Sequence, residues 1–85
     1  MEKSQELFSS SDLDLTAYLL TLGFKFALPP KLPAPHKRVI FYFQKSQKLE
    51  TACIEFLNRQ AKVEPVSFAE CLRSIRTQAQ ELRRG

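Results

Sequence analysis

Glycine is nearly missing from this chain, with Gly23 and Gly85 the only two in 85 residues. That scarcity excludes glycine-rich phosphate loops, dinucleotide fingerprints and the G-x-S-x-G nucleophile elbow. Tryptophan is absent, and histidine occurs once, at His36. The two cysteines, Cys53 and Cys71, have no C-x-x-C spacing and no histidine nearby, so no zinc-type ligand set is expected. Both read as small buried hydrophobes with free thiols. Residues 2–6 are charged or polar, and the first apolar run carries Asp12 and Asp14. Neither a signal peptide nor a membrane span is expected, and the cytoplasm is the expected compartment. His36 lies among prolines in a loop, where a solvated imidazole is expected rather than a general base. Without convergent groups, the sequence offers no catalytic residue, cofactor site or metal site, and the protein reads as a non-enzyme.

Acidic residues are missing from one long stretch. Residues 15–49 contain none, but hold Lys25, Lys31, Lys37, Arg38, Lys45 and Lys48, a local charge of +6. The first fourteen residues carry −3 and the last fifteen +3, within a net +4. Charge segregated in this way bears on partners more than on fold.

What is present is a set of amphipathic segments in one small domain, residues 1–85, with residues 1–7 a frayed lead-in or part of a short strand. Ser11 is placed to cap a helix over 12–22, with Asp14 in a variant capping box and Gly23 at the left-handed stop. Its apolar residues form two stripes. Leu13, Ala17, Leu20 and Phe24 make one, and Leu15, Tyr18, Leu19 and Leu22 the other, so the helix requires cover on both sides.

After Gly23 the period becomes two. Phe24, Phe26 and Leu28 predict a strand over 24–28, which Pro29 and Pro30 should end. Residues 29–37 form a proline-rich basic loop, and Val39, Phe41 and Phe43 predict a second strand over 38–44. Ser46 should cap a helix over 47–61. The full box Ser67-Phe68-Ala69-Glu70 should open another over 68–83, with Val66 and Cys71 as its staple. The expected fold is therefore α+β, in the order α-β-β-α-α, an antiparallel hairpin packed with three helices. Leu15, Leu19, Leu20, Phe41, Phe43, Phe56, Leu72 and Ile75 are the expected core.

The signposts have a counterpart in a known pattern. Ser11-Asp12-Leu13 leading into Leu15, Ala17, Tyr18, Leu19 and Leu20, then Gly23, is followed by Val39-x-Phe41-x-Phe43, Phe56 and Phe68. Over roughly residues 8–82 this resembles a family of small bacterial and phage proteins known only as a domain of unknown function. The proline-rich loop departs from the family pattern. The resemblance implies a fold and no activity.

Two functions from different classes follow. The first is a non-enzymatic interaction or accessory protein that self-associates. A two-stranded ribbon leaves edges open, and the first helix has two stripes to cover, so the hairpin edge or that helix would make the contact. The alternative is nucleic-acid binding through Lys31, His36, Lys37 and Arg38 of the hairpin loop and Arg73, Arg76 and Arg83 on one flank of the last helix.

Overall fold

The computed structural model describes residues 6–34 and 37–84. Its elements run β1 (Leu7–Ser10), α1 (Leu13–Thr21), β2 (Phe26–Lys31), β3 (Ile40–Gln44), α2 (Gln47–Leu57) and α3 (Pro65–Arg84). The fold is α+β. The three strands form one antiparallel sheet in the order β1-β3-β2, so the short N-terminal strand completes it. Residues 1–5 of the expected lead-in lie outside the described residues. The molecule is a slab of 38 × 35 × 19 Å, one layer of sheet and one of helices.

Strand β3 is the central strand, and its alternation sorts the two layers. Phe41 and Phe43 are fully buried beneath the helices, whereas Ile40 and Tyr42 lie on the other face and are half-buried. Helix α1 lies between α2 and α3. Its middle turn, Thr16 to Leu19, is buried all the way round. The two stripes expected of this helix feed two apolar clusters. Ala17 packs with Val39, Phe41, Ile75 and Ala79, and Tyr18 and Leu19 pack with Phe43, Leu49 and Ala52. Leu20, Phe26 and Phe68 touch both clusters and join them. Phe26 lies 5.5 Å from the Phe41 ring and 5.3 Å from the Phe43 ring, within the favourable range for aromatic pairs. Of the expected core, Leu19, Phe41, Phe43 and Ile75 are fully buried. Leu15, Leu20, Phe56 and Leu72 pack against the clusters but keep part of their surface in water, as a domain this small requires.

Several boundaries move for identifiable reasons. Asp12, not Ser11, caps α1, because its carboxylate reaches two open amides, Asp14 N–H at 2.9 Å and Leu15 N–H at 3.2 Å. The stop is as expected. Gly23 has φ +105°, its N–H donates to the Leu20 carbonyl, and Phe24 N–H donates to the Leu19 carbonyl, a Schellman pair. Ser46 caps α2 through the Leu49 N–H. That helix stops at Leu57, short of 61, through a second Schellman pair with Arg59 at φ +59°. Leu57, the last residue of the helix, is left 74% exposed.

Helix α3 begins earlier than the S-x-x-E box suggests. Pro65 occupies the first position, and the Glu64 carboxylate accepts the Val66 and Ser67 N–H groups at 3.1 and 2.7 Å. Ser67 therefore sits inside the first turn, and Val66 is exposed rather than stapled to Cys71. These hydrogen bonds, the Ser67 amide's first, hold the Glu64 carboxyl below its usual range.

The largest departure is in β2, which continues through Pro29 and Pro30 to Lys31 instead of ending at Leu28. The prolines are tolerated because β2 is an edge strand, and the register slips on both sides of Leu28. Phe26 pairs with Phe43 on the core face, and Leu28 with Tyr42 on the opposite face. The expected single apolar face of Phe24, Phe26 and Leu28 is thereby broken.

Leu19 is fully buried in the turn that every layer packs around. Leu19→Ala is expected to lower unfolding free energy by about 2–5 kcal/mol in urea titration. The two left-handed stops should respond oppositely. Gly23→Ala should cost about 1–2 kcal/mol, and Arg59→Gly should gain up to about 1 kcal/mol, in the same titration. Because the folded-state pKa of Glu64 is depressed, its contribution is present above the unfolded value and lost as pH falls through the folded one. Melting temperatures taken from about pH 6 to pH 3 should fall less for Glu64→Gln than for the parent protein.

Candidate nucleic-acid interface

Helix α3 docks by Ile75 and Ala79, which are buried against Ala17, Val39 and Phe41. At 100° per residue this fixes where its arginines go. Arg73, Arg76 and Arg83, with Gln80 between them, fall along one flank beside the docked stripe. Leu32 packs against the same cluster and ties the proline loop to this side of the core. Arg38 leaves that loop immediately before the buried Val39.

The result is a cleft of about 350 Å³ lined by Arg38, Arg76 and Arg83, together with Asp12, Leu13 and Gln80. A second groove on α3 is lined by Arg73, Arg76, Thr77 and Gln80. Arg76 and Gln80 belong to both, so the basic surface is continuous from Arg73 to Arg38. The one carboxylate in the cleft, Asp12, is engaged in capping α1. Among the described residues no arginine here forms an ion pair, since both ion pairs belong to Lys45, with Glu6 at 3.6 Å and Glu50 at 4.0 Å.

Of the seven residues expected to contact nucleic acid, Arg38, Arg76 and Arg83 converge on the cleft and Arg73 adjoins it. Lys37 is exposed in the loop, its N–H bonded to the Ala34 carbonyl at 3.0 Å. Lys31 is on β2, its ammonium 5.9 Å from the centre of the Tyr42 ring. His36 lies outside the described residues. Tyr42 was not among the expected contact residues, although its even position, between the core residues Phe41 and Phe43, is the signal that it faces away from the helices.

Two further groups, Tyr18 and Cys53, are shifted, both first by burial. Burial, then the charge of Glu55 and a 3.5 Å hydrogen bond to its carboxylate, push the Tyr18 phenol up. Burial, then Glu50, push the Cys53 thiol up. Both shifts favour the neutral form, opposite to what activates a nucleophile. Cys53 and Cys71 are free and pack in different apolar clusters. Among the described residues no group of three or more His, Cys, Asp or Glu is placed to hold a metal. Among them, too, no helix is long and apolar enough to cross a membrane.

No curated protein and no solved structure matches the chain. A family described as a domain of unknown function, DUF5659, matches residues 5–80, which is most of the chain and includes every element but the last residues of α3. The chain, with its basic cleft between α1 and α3, belongs to the DUF5659 family.

Proposed function

We propose that the protein is a small non-enzymatic accessory protein that binds the phosphate backbone of nucleic acid along the arginine flank of α3 and the cleft it shares with Arg38. The observation that carries this reading is convergence. Arg38 and Arg76 are far apart in sequence, yet they line one cleft with Arg83, three cations against the single carboxylate of Asp12, and none of the three forms an ion pair among the described residues. Guanidinium groups held this way match phosphate oxygens in geometry and charge. The acid-free run of residues 15–49 adds a long-range attraction for a polyanion. Two free cysteines in separate clusters suit a reducing compartment, which supports a cytoplasmic location.

Self-association has less geometric support. The middle of α1 is enclosed, β1 covers one side of β3, and the outer edge of β2 carries two prolines. The outer edge of β1, four residues long, remains in its favour.

Anisotropy titrations on mixed-sequence DNA and RNA, run from about 50 to 200 mM salt, test the proposal. Binding should weaken as salt rises, and Arg76→Ala and Arg83→Ala should each flatten the slope of log K against log salt by about 0.7–0.9. Arg59→Ala, on the far end of α2, is the matched control. Absence of binding at low salt, or equal loss from Arg59→Ala, would sink the proposal.

A further inference from the structure

We infer that the open face of the sheet is a stacking platform, and that the nucleic acid it takes is single-stranded, with a base seated on Tyr42. This inference rests on the backbone reading above and adds which form of the polymer is bound.

The helices cover one face of the sheet only. Ile40, Tyr42 and Leu28 belong to neither apolar cluster, and Leu28 lies directly across from Tyr42. Tyr42 is on the central strand, with Ser9 of β1 opposite it on the other side. A half-buried aromatic ring on a central strand, flanked by small and aliphatic neighbours, is held rigidly and still presents surface. Single strands bind such surfaces because every base has a π-face to stack. A duplex hides its base faces and has no use for an exposed ring.

The charges near Tyr42 have the sign a nucleic acid needs. The Lys31 ammonium is 5.9 Å from the ring centre, and residues 15–49 contribute no carboxylate to the hairpin. The face also adjoins the cleft. Lys31 is in register with Ile40, two residues from Arg38, so both cations lie at the β3 start of the sheet. From Arg38 to Tyr42 the chain reaches no more than about 14 Å. An extended single strand held at Arg38 can span that distance by passing round the start of β3 to Lys31 and Tyr42. Of the other four aromatics of the hairpin region, Phe41 and Phe43 are fully buried, and Phe24 and Phe26 pack against the core clusters.

The test uses the full chain and a fluorescein-labelled oligodeoxythymidine, compared with a blunt duplex of the same length. The single strand should bind at least about tenfold more tightly. Tyr42→Ala should weaken single-strand binding about tenfold or more and leave duplex binding unchanged. Tyr42→Phe should behave as the parent, since the Tyr42 hydroxyl makes no hydrogen bond among the described residues. A second measurement leaves the sheet intact. The chain has two tyrosines and no tryptophan, so in Tyr18→Phe protein all tyrosine emission comes from Tyr42. Unlabelled oligodeoxythymidine should quench it. Unquenched emission at saturating oligonucleotide, or full single-strand affinity in Tyr42→Ala, would overturn the inference. If Arg76→Ala still weakens binding in that case, the backbone reading stands without the platform. If neither variant changes a measured affinity, both fall together.

Discussion

Every layer of this protein depends on enclosing one turn of one helix. Thr16, Ala17, Tyr18 and Leu19 point in four directions, and all four are buried. No single neighbour can do that. The sheet, α2 and α3 must all reach α1, which is why a domain this small has a second cluster rather than a one-sided core. The polar member of the turn is satisfied locally. The Thr16 hydroxyl lies 2.8 Å from the Asp12 carbonyl and 3.2 Å from the Ser10 hydroxyl, so its burial costs little and ties the end of β1 to the start of α1. Among the described residues, no buried side-chain polar atom lacks a partner.

The same constraint places the charge. To cover the Ala17 side of α1, α3 must turn Ile75 and Ala79 inward, and its arginine flank then faces the start of α1 and the end of the proline loop. Arg38 is carried to that point because Val39 is buried next to it. The cleft is thus a consequence of how the core closes. Three guanidinium groups line it against one carboxylate, Asp12, whose Oδ1 is hydrogen-bonded at the start of α1. The sheet meanwhile keeps one face for the core and one for solvent, as antiparallel sheets commonly do, and Tyr42 falls on the second.

Much of this was legible residue by residue. The two stripes of α1, the stop at Gly23, the cap at Ser46 and the buried parity of Phe41 and Phe43 all follow from local spacing. The arginine flank of α3 was legible for the same reason, since helical period alone aligns Arg73, Arg76 and Arg83. Where the reading slipped, two local signals competed and packing chose between them. Asp12 won over Ser11 as the cap of α1, and Glu64 with Pro65 won over Ser67 as the start of α3. The end of α2 at a left-handed Arg59 had no sequence marker, because arginine has no preference for that conformation.

The sequence by itself determined the three helices, the two strands between the first and second of them and the clustering of basic residues, because helical and strand periods and cap chemistry act over a few residues. Only the tertiary structure decided that β1 pairs with β3 and makes it the central strand. Strand pairing across more than thirty residues is set by which face must be buried, not by local preference. It likewise decided that β2 runs through its prolines, since only an edge position makes their missing N–H groups harmless. The meeting of Arg38 with Arg76 and Arg83 belongs to the same class. Charges so distant along the chain become neighbours only when α3 docks through Ile75 and Ala79 against Ala17 and Val39.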